Sequence, residues 1–228
     1  MGLTAKEHSP GVYFIGGGEQ RLLATRNLTP GRKVYGEELI VIENIEYRLW
    51  NPSRSKLGAA IAKGLKHNPI VPGSKVLYLG VASGTTCSHV SDIIGNLGHV
   101  WGVDFAPRPI RDLIDHVARY RMNISPIFGD ARQPREYSLQ VPMVEVLFAD
   151  VAQPDQAEIV VKNANIFLKK GGYAMFSIKS RSIDVGRDPV EIFSEQVKVL
   201  VARGFSVEEL IELDPFEKDH ALALASLV

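Results

Sequence analysis

The sequence predicts an α/β fold: a mostly parallel, doubly wound sheet with helices on both faces and an antiparallel strand pair at the C-terminus. A small antiparallel β unit precedes it. Three observations carry this. From residue 75 onward, short apolar runs alternate with segments whose apolar residues recur at helical spacing, the pattern of repeated β-α units. The last two runs, "FSVEELIEL" and "HALALASLV", are joined only by "DPFEKD", too short for a parallel crossover. Residues 11 to 50 hold β-type runs and turn residues with no helical stretch. The expected division is residues 1–50 and 51–228.

In the first unit, "GVYFIGG", "RLLATRNL", "KVYGEELIVI" and "IEYRLW" are broken by Gly-Gly-Gly, Pro-Gly and Glu-Asn turns. Asn51-Pro52 supplies a helix cap and first-turn proline, Leu57, Ala60, Ile61, Gly64 and Leu65 follow at helical spacing, and Pro69 stops the helix. "KVLYLGV" is a strand, followed by a helix with Val90, Ile93, Ile94 and Leu97 on one face. "HVWGVDF" precedes a helix marked by Ile110, Leu113, Ile114 and Val117, and "ISPIFGD" is a third strand. "VEVLFADV" leads to a helix carrying Ala157, Val160, Ala164, Phe167 and Leu168, closed by Gly171-Gly172. "YAMFSIK" comes next, then a helix opened by Asp188-Pro189 and stopped near Gly204.

The 228 residues carry equal numbers of basic and acidic side chains, 26 each, so no overall basic field exists to grip nucleic acid unaided. Cys87 is the only cysteine, which excludes an internal disulfide and a thiolate metal site, and the six histidines lack ligand spacing; no metal is expected. "MGLTAKEHS" is too polar for a signal peptide, Lys6 stands where a myristoylation signal needs Ser or Thr, and no apolar run is long enough to span a bilayer. A soluble intracellular protein without membrane contact is expected.

In a doubly wound sheet, ligands bind beyond the carboxyl ends of the strands. After the first parallel strand, Gly80, Ala82, Gly84, Thr85 and Thr86 form a glycine turn that opens a helix. After the second, Asp104 can accept from both hydroxyls of a ribose while Phe105 lies against an adenine. Asp130 with Ala131 follows the third, where a carboxylate can accept from the adenine amino group. Asp150 and Gln153 follow the fourth, and Lys179 the fifth. Singly, each has a plain alternative: a turn glycine, a helix cap, a core ring, a turn acid, a solvated lysine. Their convergence on one edge gives them weight. The Gly-x-x-x-Gly spacing lacks the approach that a dinucleotide pyrophosphate requires, so the adenosine ligand reads as S-adenosylmethionine rather than NAD.

Lys56 lies at the edge of the apolar stripe of the helix before the first parallel strand, and His220 begins the final strand. With Asp150 and Lys179 they suit methyl transfer to a sugar hydroxyl, a weak nucleophile whose proton must leave during attack. An amine beside a second cation loses its own proton more readily and can then take that one. Enzymes that methylate base amino groups commonly carry Asn/Asp-Pro-Pro-Tyr/Phe after the fourth strand; here that position reads Asp150-Val151-Ala152-Gln153-Pro154.

"YRLWNPSRSKLGAAI", "LYLGVASGTTCSHVSDI", "DVAQPDQAEIVVKNANIFLKKGGY" and "IKSRSIDV" closely resemble fibrillarin, from about Gly11 to the end of the chain. The resemblance implies a Rossmann-like class I methyltransferase sheet and S-adenosylmethionine-dependent RNA 2′-O-methylation. It implies a catalytic group of Lys56, Asp150, Lys179 and His220, with donor contacts from the 80–86 loop, Asp104, Phe105, Asp130, Ala131 and Gln153. It also implies partners: a box C/D guide RNA paired with the target, a Nop-domain scaffold and a kink-turn-binding protein of ribosomal type. Base pairing would then select the target, and Arg54, Arg108, Arg181 and Arg187 would touch phosphates beside the two lysines. The exposed helices around 107–121 and 153–168 are candidates for scaffold docking. Asp104 stands where the family commonly has Glu, and Val81 and Ser180 where Ala is common. Without the Gly/Arg-rich tail of eukaryotic members, the chain resembles the archaeal, cytoplasmic form. Guide-independent RNA methylation, a non-catalytic assembly subunit and, more distantly, an oxidoreductase are the competing readings.

Overall fold

The computed structural model describes residues 3–16 and 21–228; Gly17 and Gly18 of the expected glycine turn lie outside the described residues. The first sheet comprises β1 (Ala5–Ser9), β2 (Val12–Ile15), β3 (Leu22–Arg26), β4 (Leu39–Ile42) and β5 (Ile45–Leu49). All its pairings are antiparallel, in the order β1-β2-β3-β5-β4. The strand β1 is not expected from the sequence: "AKEHS" has no apolar face because it is an edge strand, and charged side chains keep such an edge from pairing with other chains.

The segment after this sheet differs from expectation. Asn51 caps only a single 3-10 turn, Pro52–Arg54. The helix α1 (Lys56–Ala62) has its own cap, Ser55, whose Oγ accepts from the Gly58 amide at 3.1 Å, and it ends well short of Pro69. The second sheet then begins with β6 (Lys75–Leu79) and continues through α2 (Thr85–Ile94), β7 (His99–Asp104), α3 (Pro107–His116) and β8 (Ile124–Phe128). It proceeds with β9 (Val144–Ala149), α4 (Gln156–Phe167), β10 (Leu168–Lys179), the single-turn α5 (Ser180–Ile183), α6 (Pro189–Ala202), β11 (Phe205–Glu212) and β12 (His220–Leu227). Gly171-Gly172 does not cap α4. It lies inside β10, where the register against β9 shifts between Leu168 and Tyr173; a glycine pair after an apolar run reads equally as a helix stop or a strand irregularity.

The strand order is β11-β12-β10-β9-β6-β7-β8. Strands β6 to β10 run parallel, and β12 pairs antiparallel with both β10 and β11, as the short "DPFEKD" link requires. The chain steps outward from β6 to β7 and β8, then returns to the other side of β6 with β9. The carboxyl ends of β6 and β9 therefore flank the topological switch point. Along β6, Val76 and Tyr78 face one core, with Leu57 and Ile61 of α1, Val90 of α2 and Leu113 of α3. Leu77 and Leu79 face the other, with Val160 and Phe167 of α4 and Phe193 and Leu200 of α6. This period-two division buries both faces of the sheet.

The first sheet is joined to α2 by a buried ionic cluster absent from the sequence reading. Asp92 pairs with Arg48 at 2.7 Å and Arg121 at 2.5 Å, and Arg48 also reaches Glu37 at 2.7 Å. Among the described residues no helix is long and apolar enough to cross a membrane.

Candidate active site

Beyond the carboxyl end of β6 the chain turns through Gly80 at φ +75°. A side chain there would bring its Cβ within 2.7 Å of the Asp150 carbonyl oxygen, so only glycine lets the two strand ends lie side by side. A Cβ on Gly84 would meet Leu113 of α3 at 2.6 Å, so that glycine serves helix packing. Asp104, at the end of β7, shapes the same loop: its carboxylate accepts from the amides of Ala82 and Ala106, each at 2.9 Å. Gly80, Ala82, Asp104, Phe105, Asp130, Ala131, Asp150 and Gln153 line one cavity of about 170 Å³. Gly84, Thr85 and Thr86 are not among its walls; Thr86 is buried and its hydroxyl donates to Ser55 Oγ at 2.9 Å, beneath the start of α1.

The polar lining of this cavity comprises three carboxylates, Asp104, Asp130 and Asp150, with Gln153 and with Arg132, which is paired to Asp130. Asp130 is held below the usual carboxylate range by hydrogen bonds from Arg132, whose Nη2 lies 2.7 Å from Oδ2. Phe105 is 55% exposed, an aromatic face open at the rim. With Arg132 already paired to Asp130, the net acidic lining suits a ligand with a positively charged centre and an aromatic base better than a pyrophosphate.

Next to the cavity, two lysines converge on one acid. Lys179 Nζ lies 2.8 Å from Asp150 Oδ1 and donates to the Asp150 carbonyl at 2.8 Å. Lys56 Nζ lies 3.4 Å from the same Oδ1, which is itself out of solvent contact. The three side chains retain 14–17% exposure, sheltered yet reachable from outside. His220 stands directly opposite Lys179 across the β10–β12 ladder. Its Nδ1–H donates to the Lys218 carbonyl at 2.6 Å, which leaves Nε2 as the outward ring nitrogen.

The sequence reading missed two residues. Glu217, from "DPFEKD", approaches Lys56 at 3.8 Å; a charged turn residue carries no signal of this. Gln156 is completely buried and bonds the backbone of Lys179. A glutamine four residues before the buried Val160, on a helix face whose other buried polar residue is Asn163, was the available clue.

The four arginines expected at RNA are spread around this edge. Arg54 is exposed, lies over the Tyr35 ring and donates to the Tyr35 carbonyl, and Arg108 is exposed on the first turn of α3. Arg181 is paired with Asp219 at 3.0 Å and Arg187 with Glu195 at 2.7 Å. Exposed pairs of this kind contribute about 0–1 kcal/mol, so a phosphate can displace the acid.

The fibrillarin family model matches residues 3–227. A fibrillarin-like rRNA/tRNA 2′-O-methyltransferase of Thermococcus onnurineus is 59% identical over 222 residues, covering 96% of this chain and 97% of the relative. The crystal structure of Aeropyrum pernix fibrillarin with natively bound S-adenosyl-L-methionine superposes with a TM-score of 0.90 at 48% identity, covering 98% of this chain and 99% of that one. The fibrillarin chain of a fibrillarin/Nop5p complex superposes with a TM-score of 0.86 at 37% identity, covering 98% of this chain and 100% of that one. The sheet order, the Gly80 turn at the switch point and the lysine pair on Asp150 thus occur in a chain that belongs to the fibrillarin family.

Proposed function

We propose that this chain transfers the methyl group of S-adenosylmethionine to ribose 2′-hydroxyls of RNA, with ribosomal and transfer RNA as substrates and a box C/D guide RNA choosing the nucleotide. The observation that carries this reading is the convergence of Lys56 and Lys179 on Asp150 beside a carboxylate-lined cavity. The chemistry of the cavity lining suits the donor. Its acids match a sulfonium and an ammonium group, and Gly80 leaves the backbone free to approach. When bound, S-adenosylmethionine supplies the methyl group as an electrophilic carbon on a positively charged sulfur.

The chain's own residues then divide the work. Asp104 accepts from the donor's ribose hydroxyls, Phe105 covers the adenine, and Asp130 with Ala131 and Gln153 completes the cradle. The RNA hydroxyl must lose its proton as its oxygen attacks, and one of the two lysines is the acceptor. Asp150 holds both lysines on the same point. His220 Nε2 orients the acceptor ribose. Much of the remaining acceleration comes from alignment of oxygen, methyl and sulfur. Arg54, Arg108, Arg181 and Arg187 hold phosphates of the guide–target duplex.

A chain with no net charge needs help to hold RNA, and that is supplied by an assembly with a Nop-domain scaffold and a kink-turn-binding protein. The complex of its relative with Nop5p supports the scaffold. The compartment is the cytoplasm. The test is transfer of labelled methyl to a guide-paired RNA, with scaffold and kink-turn proteins added or omitted. The expected result is transfer only in the full assembly, abolished by a 2′-deoxy substitution at the selected nucleotide. Transfer by the chain alone moves the reading to a free-standing methyltransferase; donor binding without transfer in any combination reduces it to an assembly subunit.

A further inference from the structure

The parallel ladder between β9 and β10 ends at the Phe176–Ala149 pair. Beyond it β9 departs: the Asp150 amide bonds Leu79 of β6 at 2.9 Å, and the chain leaves the sheet as a loop. This departure lets the Asp150 carboxylate and the Lys179 ammonium meet, because a continued β9 would fill the space between them. It also strips Lys179 of a strand neighbour on that side. A buried peptide group without partners is costly, so something must replace the missing strand.

We propose that Gln156 is the positioning residue for Lys179. Its side-chain carboxamide substitutes for the absent β9 peptide: Nε2–H donates to the Lys179 carbonyl at 3.0 Å and Oε1 accepts from the Lys179 amide at 2.9 Å. Gln156 is the first residue of α4 and is fully buried, so the clamp is anchored to the helix that follows Asp150. Its neighbour Ala157 is tied in turn to Gln196 of α6 at 3.2 Å. On the opposite side, Lys179 faces His220 of β12 as its register partner, and the nearest backbone bond is that of the next residue, from the Ser180 amide to the Asp219 carbonyl at 3.3 Å. Both backbone groups of Lys179 are thus held by Gln156, and its side chain runs to Asp150, where Nζ lies 2.8 Å from Oδ1. Asparagine is a methylene too short for this reach, and an apolar side chain leaves both backbone groups unpaired.

This inference rests on Lys179 acting in the transfer. The experiment is single-turnover methyl transfer in the assembled guide–protein particle at saturating donor, for wild type, Gln156→Met, Gln156→Glu, Lys179→Ala and the Gln156→Met/Lys179→Ala double variant. Loss of the outer partner that orients a metal ligand typically costs ~10–100-fold, and a fall of the same order is expected for Gln156→Met, with donor affinity unchanged within about twofold. Gln156→Glu keeps the acceptor for the Lys179 amide and is expected to recover part of the rate. In the Lys179→Ala background, Gln156→Met is expected to add less than about twofold, since residues that act as a unit are not additive. Deuterium exchange of the peptide spanning Lys179 should accelerate in Gln156→Met. Wild-type rate or unchanged exchange in Gln156→Met overturns the assignment, as does an equal fall in both backgrounds. Full activity in Lys179→Ala overturns the reading of the site itself; an inactive Lys179→Ala with a fully active Gln156→Met overturns only the role of Gln156.

Discussion

Among the described residues the same ionic arrangement occurs twice, one carboxylate between two cations, in two very different settings. Asp92 sits between Arg48 and Arg121, all three sealed from solvent. Asp150 sits between Lys56 and Lys179, at the open edge of the sheet. Around Asp92 the accounting is complete: besides the guanidiniums, its oxygens accept from the Thr25 hydroxyl at 2.8 Å and the Leu28 amide at 3.0 Å. Around Asp150 it is incomplete, and the nitrogens are amines. Arginine presents a rigid fork and stays charged, whereas lysine is a single flexible point that can give up its proton. The first cluster fastens the small sheet to α2; the second is built to change.

The comparison breaks first at Lys179. Replacement by alanine should lower guided methyl transfer by ~10²–10⁴-fold, the usual contribution of a general base, with donor binding retained. The sharper variant is Lys179→Arg, which keeps the charge beside Asp150 but offers no proton acceptor. It should be nearly as inactive as alanine when both are read by single-turnover transfer. A substantially active arginine variant would mean that Lys179 supplies charge alone and that Lys56 takes the proton.

The other half of the comparison is tested by Asp92→Asn. Removing one member of a buried ionic cluster leaves uncompensated charge, at a cost of about 3–5 kcal/mol; here Arg121 would lose its carboxylate partner while Arg48 keeps Glu37. The urea midpoint should fall accordingly, while transfer per folded molecule stays at the wild-type value. A stability change below about 1 kcal/mol would show that the cluster is not what joins the small sheet to α2.

How much of this was legible in the sequence follows from the range of each interaction. The strand ends were legible because each is a local event: an apolar run, then a glycine or an acid. The lysine pair followed once those ends were placed on one edge. Nothing local couples Arg48 to Asp92, 44 residues away, or Asp92 to Arg121, 29 away. Asp92 lies within "SHVSDI", one of the segments that carry the family resemblance, yet its role is to hold two sheets together. The strand β1 was missed because an edge strand needs no apolar face. Gln156 was missed because its task exists only where β9 leaves β10, a property of strand order.

A smaller effect comes from the rim of the sealed cluster. His89 is buried, stacked on Trp50 at 4.6 Å, and bonded to Thr25 through Nδ1 at 2.8 Å and to Tyr35 through Nε2 at 2.7 Å. Burial, with Arg48 and Arg121 nearby, pushes its pKa well below the ordinary value of 6.5. The folded protein therefore keeps His89 neutral while the unfolded chain binds a proton below about pH 6.5. More protons on the unfolded state means stability rises with pH in that window. On acidification below it, the protein should lose up to ~1.4 kcal/mol per pH unit through this residue. Denaturant titrations from pH 7 to pH 5 should show the slope, and His89→Gln should flatten it.

The smallest effect, and the finest test of the open cluster, is at Glu217. It approaches Lys56 at 3.8 Å from the loop that carries the chain into β12, so Lys56 is drawn toward two carboxylates while Lys179, among the described residues, meets Asp150 alone. The contact is long and Glu217 remains partly exposed, which limits its contribution to the range of an exposed pair, about 0.2–1 kcal/mol. Glu217→Gln keeps the shape and removes the charge, and should lower single-turnover transfer by no more than about fivefold. Because the loss acts through Lys56, it should vanish in a Lys56→Ala background. An effect that persists there would place Glu217 on the RNA rather than on the lysine, and the open cluster would then extend one residue further toward its substrate.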